Sequence, residues 1–206
     1  MVVIRYHGGS ISPFYQWNRA GFTARKNFYN NSYTPHFGID GIVDGGYNYG
    51  GWDNLITNRA TVESPLVIEL SGLWDDDTRL VSADLRVDVV DSIPFSDLRF
   101  FHGLTESDLY YDAPNGQDFF NQVFREFLSP NTGQSVSYQT GESYSYHTEF
   151  YVDPEYVPED VEFFVFVQDF ASGEILQATK GNITQLLAGK PDISIDMIPD
   201  NPPVTV

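Results

Sequence analysis

The sequence predicts an α+β chain in three parts. Residues 1–63 mix short strands with helices, residues 64–198 form an antiparallel β-sandwich, and residues 199–206 form a Pro-rich tail. Three observations carry this reading. The hydrophobic rhythm turns from irregular to strict alternation at Leu66, the mark of half-buried strands. The charge changes at the same place: of 11 Lys+Arg and 29 Asp+Glu, net −18, residues 1–63 sum to +1 and residues 64–206 to −19. A step of this size separates segments with different surfaces. Finally, 3 Trp, 13 Tyr and 16 Phe in 206 residues supply enough apolar surface for a folded core.

In the first part, Val2-Val3-Ile4 is a short apolar run that fits a buried strand, and Gly8, Gly9 and Pro13 mark a loop after it. Asn18 is placed to cap a helix over Arg19–Tyr29, with Phe22, Lys26 and Tyr29 on one side. Phe37-Gly38-Ile39 reads as a strand, and Asp40-Gly41 as a tight turn leading into Ile42-Val43. Gly45-Gly46 and Gly50-Gly51 punctuate the next loop. Asp53 is then expected to cap a helix over Asn54–Val62 that turns Leu55, Ile56 and Ala60 inward, with Pro65 ending it.

In the second part, Leu66, Ile68 and Leu70 alternate with Val67 and Glu69. Val81, Ala83, Leu85, Val87 and Val89 alternate with Ser82, Asp84, Arg86 and Asp88, the cleanest one-sided strand in the chain. Leu98, Phe100, His102 and Leu104 form a third set, and Tyr144, Tyr146, Thr148 and Phe150 a fourth. Glu162–Asp169 is nearly all apolar, as a central strand requires, and Glu174–Ala178 supplies a last strand after Ser172-Gly173. Short strands joined by turn residues in this way describe an immunoglobulin-like sandwich. Residues 119–128 fit two templates: Phe120, Val123, Phe124, Phe127 and Leu128 suit a helix, while the aromatic content suits a strand.

Composition excludes several functions. Without cysteine there is no disulfide scaffold, thiol nucleophile, dithiol redox centre or Cys-based zinc site. The acidity argues against sequence-independent nucleic-acid binding and against docking on anionic lipid. No stretch reaches the ~20 apolar residues of a membrane span, and Met1–His7 is too short for a signal peptide. His7, His36, His102 and His147 have no metal-ligand spacing; His7 and His36 with Asp40 could meet in space, but hydrogen-bonded histidines are the expectation. Asp75-Asp76-Asp77 offers oxygen ligands to calcium, yet lacks the spacing of a known calcium loop and reads as a polar hairpin tip. Neither a Gly-x-Ser-x-Gly turn nor a phosphate loop is present. Carboxylates abound, as a glycosidase needs, but no pair stands out. Trp17, Trp52 and Trp74, with the tyrosines, could form a sugar-stacking platform, although aromatics serve ordinary cores equally well. No catalytic residue, metal or cofactor is assigned.

The order strand, helix, strand, hairpin, helix in residues 1–63 resembles the C-terminal part of a thioredoxin fold, carried by Tyr33-Thr34-Pro35-His36-Phe37-Gly38-Ile39-Asp40-Gly41. The resemblance implies a cis peptide at Thr34-Pro35. Along the whole chain, Ile4-Arg5-Tyr6-His7, Thr34-Pro35 through Asp40-Gly41, Pro114-Asn115-Gly116, Phe124–Leu128, Val165–Asp169 and Glu174–Ala178 occur in an order similar to the Omp-twenty-eight-like outer-membrane-protein family. Those bacterial exported or surface proteins join a thioredoxin-like unit to a β-sandwich. The strand and helix that carry their Cys-x-x-Cys are absent here, so the unit is truncated and its redox chemistry does not transfer. A strand missing from mid-sheet leaves backbone groups unpaired, which predicts either rearranged pairing or a homo-oligomer that fills the gap from a neighbouring chain.

The resulting expectation is a non-catalytic exported or cell-surface protein, associated with the outer membrane or extracellular, whose partner is a protein or a glycan. The alternative is a carbohydrate-binding β-sandwich module, with or without calcium.

Overall fold

The computed structural model describes residues 1–9, 12–47 and 49–186. The tail at 199–206, and residues 187–198 of the expected sandwich, lie outside the described residues. The chain is a β-rich α+β fold. Its elements run α1 (Pro13–Trp17), α2 (Arg19–Phe28), β1 (Phe37–Ile39), β2 (Val43–Gly46), α3 (Trp52–Arg59), β3 (Leu66–Asp75), β4 (Leu80–Val89), β5 (Leu98–Glu106), β6 (Leu109–Tyr110), β7 (Phe119–Phe120), β8 (Val123–Phe127), β9 (Gln134–Ser135), β10 (Ser143–Tyr151), β11 (Val161–Asp169) and β12 (Ile175–Asn182). No described helix is long and apolar enough to cross a membrane.

Two antiparallel sheets face each other across one core. The smaller has the order β10-β4-β3, and the larger β12-β11-β5-β8 with β9 also paired to β5. The alternating set of β4, Val81, Ala83, Leu85, Val87 and Val89, is buried in this core against Leu98, Phe100 and Leu104 of β5 and Phe163, Val165 and Val167 of β11. Each fully buried Val, Leu or Phe contributes roughly 1.5–3 kcal/mol of apolar burial.

The larger sheet is buried on its other face as well. Phe101, Phe124, Phe164 and Phe166 form a second cluster there, and Val2, Ile4, Tyr6, Phe127, Phe170 and Ile175 pack on it. This is why β11 reads as an unbroken apolar run, and why alternation in β5 understates its burial: Phe101, outside the alternating set, is fully buried.

The structure corrects several element readings. Val2-Val3-Ile4 forms no strand; a single parallel bridge joins Arg5 to Val123, where Arg5 N–H donates to Gln122 O at 2.8 Å and Phe124 N–H donates to Arg5 O at 3.0 Å. Val2 and Ile4 pack on the phenylalanine face instead, so this segment runs along the β8 edge of the larger sheet. Pro13 opens α1 rather than ending a loop; its missing N–H falls where a helix leaves donors unpaired anyway. The cap of α3 is Gly51, not Asp53: the 3-10 turn Tyr49–Gly51 starts the helix at Trp52, whose ring lies 4.3 Å from that of Phe37. Asp53 then falls in the first turn, where a negative charge complements the helix dipole, and Ala60 is exposed past the helix end. Residues 119–128 hold strands β7 and β8, not a helix, because β8 pairs with β5 from Gly103↔Phe127 to Glu106↔Val123. Asn18 caps α2 as expected, its side chain accepting from Gly21 N–H at 2.8 Å.

The first 63 residues are tied to the larger sheet by specific polar contacts. Ile175 N–H donates to Asp40 O at 2.8 Å. Arg59 of α3 donates to Asp40 Oδ2 at 2.8 Å and to Glu174 Oε1 at 2.6 Å. Arg25 of α2 donates to Gln168 Oε1 of β11 at 3.0 Å.

Candidate functional site

Thr34 and Pro35 are joined by a cis peptide bond and both are exposed, just before β1. Thr34 lies over Gly8, whose missing Cβ would sit 3.6 Å from Thr34 Cγ2. Tyr33, which precedes them in the chain, lines an open groove with Asp44, Gly45, Gly46, Tyr47 and Tyr49.

Local sequence builds this groove in steps. Asp40 and Gly41 both take positive φ, 46° and 76°, which turns β1 back into β2. Gly45 has no side chain, and a Cβ there would stand 2.6 Å from Phe37 Cδ1, so glycine lets the Phe37 ring lie across the hairpin. Trp52 Nε1 donates to Gly45 O at 3.0 Å, fixing the indole. Phe37, Trp52 and Tyr49 form a ladder of rings with centroid separations of 4.3 and 4.6 Å. At Gly46 (φ 52°) the chain turns, and Asp44 Oδ1 accepts from Gly46 N–H at 2.8 Å.

Three tyrosine rings of the groove are exposed. Tyr33 is 44% exposed, Tyr47 68% and Tyr49 63%. Tyr33 and Tyr47 meet nearly at right angles, 85°, with centroids 6.3 Å apart. His36 stands behind them, 5.0 Å from the Tyr33 ring, with Nε2 3.4 Å from Asp44 Oδ1. Its Nδ1 is buried with no hydrogen-bond partner among the described residues.

The other sequence candidates disperse. His7 is wedged between Phe14 and Phe120, at 5.0 and 5.3 Å, and does not meet His36. Burial, helped by the Arg5 charge, holds His7 down to about 4; burial does the same to His102, between Phe100 and Phe163. His147 is on the outer face of β10, 2.8 Å from Asp84, and the hydrogen bond to that carboxylate raises its pKa. Asp40 is engaged by Arg59, so the triad with the two histidines does not form. Asp75 Oδ1 accepts from the N–H groups of Asp77 and Thr78 in a local turn, and no group of three metal-ligating side chains occurs among the described residues. Trp17, Trp52 and Trp74 make no shared platform. Trp17 lies under the Arg125 guanidinium at 3.5 Å, Trp52 is in the ring ladder, and Trp74 faces Arg79 at 5.8 Å.

Sequence reasoning missed two buried polar centres. Arg25 is 3% exposed, enclosed by Phe28, Tyr29, Phe101 and Phe166 at 4.6–5.4 Å, and it donates to Gln168 and to the Tyr29 hydroxyl. Arg125 and Glu106 form a buried ion pair at 2.5 Å, with Arg125 between the Trp17 and Tyr156 rings. Tyr156 has its pKa raised by burial and the nearby Glu126 charge; Glu126 is itself raised by burial. Neither centre lines the tyrosine groove. The signal for the tyrosine groove was present as Tyr33, Tyr47 and Tyr49 among paired glycines, but loop spacing carries no period from which to infer that they converge.

No family model matches the chain, and no curated protein matches it. Among solved structures, its fold is similar to HBP35 of Porphyromonas gingivalis, with a TM-score of 0.74 at 14% identity, over 98% of this chain and 69% of that one. A domain of the outer membrane lipoprotein Omp28 from Porphyromonas gingivalis aligns with a TM-score of 0.41 at 14% identity, over 58% of this chain and 88% of that one. At such identity the likeness to HBP35 is a likeness of fold.

Proposed function

We propose that this is a non-catalytic interaction protein, exported or held at the cell surface, that makes its contact through the Tyr33–Tyr47–Tyr49 groove. The observation that carries the reading is the exposure of three tyrosines around one groove, with Tyr49 held against Trp52 and Tyr33 against His36. Exposed aromatics on a rigid support supply contact area at little entropic cost, which is why tyrosine is favoured at recognition surfaces. The ordered motifs shared with the Omp-twenty-eight-like family support the exterior location. On this reading, residues 1–63 are a thioredoxin-like unit and residues 64–186 belong to an immunoglobulin-like sandwich.

A photocrosslinking amino acid at position 47, in cells expressing the full chain, tests this. Covalent adducts are expected from position 47 and not from position 77 at the β3–β4 tip. An absence of adducts at 47 would remove the groove as the contact surface. Turnover of a substrate by the purified chain, abolished by one point substitution, would overturn the non-catalytic reading.

A further inference from the structure

We infer that the groove takes a neutral glycan, a conclusion that rests on the groove being the contact surface. A pyranose ring presents a flat face of C–H bonds and a rim of hydroxyls, and the groove offers a counterpart to each. Tyr33 and Tyr47 stand at 85° with centroids 6.3 Å apart, so one ring face serves as a floor and the other as a wall for a single sugar. Tyr49 extends the aromatic surface and is held by Trp52 at 4.6 Å, so little side-chain freedom is left to lose on binding.

The polar groups match hydroxyls. Asp44 uses Oδ1 for Gly46 N–H and for His36, which leaves its second oxygen to accept. No hydrogen bond engages the hydroxyls of Tyr33, Tyr47 or Tyr49 among the described residues, and each both donates and accepts. A Cβ at Gly46 would stand 3.4 Å from the Tyr33 hydroxyl and 3.8 Å from Asp44 Oδ1, so glycine there keeps a side chain out of the groove.

Charge selects among glycans. Asp44 is the one charged residue among the described lining of the groove, so uronate and sialylated sugars are repelled there. The competing occupant of an aromatic groove is a proline-rich peptide, whose carbonyls need donors between parallel rings. Here the indole N–H of Trp52 is already engaged by Gly45 O, and the foremost rings are perpendicular.

The test is an array of neutral hexose and N-acetylhexosamine oligosaccharides beside sialylated and uronate ones, probed with the full chain. Wild-type protein is expected on the neutral set alone. Tyr47→Ala and Tyr49→Ala should each weaken binding at least about fivefold. Tyr110→Ala, which removes an equally exposed tyrosine on the β6–β7 hairpin, should leave it unchanged. Circular dichroism of each variant confirms folding. Binding to the acidic set overturns the charge argument. No glycan bound, with a protein adduct still formed from position 47, overturns the glycan inference and leaves the interaction reading standing. No glycan bound and no adduct overturns both. Glycan binding that both tyrosine substitutions leave intact removes the groove itself.

Discussion

Arg25 offers the sharpest check on how the first 63 residues are held to the larger sheet. Its guanidinium is buried without a carboxylate partner among the described residues. It donates to Gln168 Oε1 and Tyr29 Oη and is ringed by Phe28, Tyr29, Phe101 and Phe166. Hydrogen bonds from a charged group contribute about 1.5–3 kcal/mol each, and a desolvated cation–π contact about 2. Burying the charge costs several kcal/mol in return. Arg25→Ala removes the bonds, leaves Gln168 Oε1 short of a donor and opens a cavity, for a net loss of about 3–5 kcal/mol. Arg25→Lys keeps the buried charge but loses the planar fork that reaches two acceptors, and it should cost nearly as much, about 3 kcal/mol. Arg25→Met fills the space without a charge and should cost the least, about 1–2 kcal/mol. Urea unfolding followed by tryptophan fluorescence reads these differences; with a slope near 2–3 kcal/mol per M, the Ala and Lys midpoints should fall by about 1–2 M. If Arg25→Lys lies within about 0.5 kcal/mol of wild type, charge alone suffices and the argument from planar bonding is wrong.

Other consequences can be read with the same methods. Gly41→Ala puts a Cβ 1.9 Å from Gly173 O at a residue with φ 76°, and the melting temperature should drop by about 5–15 °C. Glu106→Ala leaves Arg125 buried without its counter-charge and should lower unfolding stability by about 3–5 kcal/mol in urea. His7 and His102 stay neutral in the fold down to about pH 4, while the unfolded chain protonates them near 6.5. Their contribution is therefore full above pH 6.5 and lost as pH falls toward 4, with a joint slope of up to about 2.7 kcal/mol per pH unit. Urea titrations at pH 7 and pH 5 should show that slope, and a His7→Gln/His102→Gln double variant should flatten it.

The sequence was most readable where one face of a strand meets the core and the other meets water. Val81 to Val89 shows this: period two exists only because Ser82, Asp84, Arg86 and Asp88 are free to be polar. The same logic fails for β11 and β8, which have apolar neighbours on both faces. There alternation is lost, and a stretch such as Phe119–Leu128 fits two templates at once. Val2-Val3-Ile4 is too short for periodicity to separate a strand from an extended segment pressed on a phenylalanine face. Arg25 could not be found because a lone arginine on a weakly amphipathic helix reads as a solvated charge; only the packing of β5 and β11 against α2 shows otherwise. The Thr34-Pro35 peptide is cis, as the motif implies, whereas the tyrosine groove is illegible in sequence because its rings meet through a hairpin and a 3-10 turn.

The charge step near residue 63 takes its meaning from the two faces of the larger and smaller sheets. The smaller sheet turns Glu69, Asp84, Asp88 and Glu149 outward on β3, β4 and β10, and that acidity keeps the face hydrated. The outer face of the larger sheet cannot be treated so, because Phe101, Phe124, Phe164 and Phe166 occupy it. A cover for such a face must be apolar beneath and not acidic in sum, or charge repulsion would lift it from a part of the chain that sums to −19. Residues 1–63 meet both conditions. Val2, Ile4 and Tyr6 supply the apolar contact, and their +1 balance includes Arg59, which closes on Asp40 and on Glu174 of the acidic part. Composition on the two sides of residue 63 therefore differs because one sheet face is solvated by charge and the other is covered by chain.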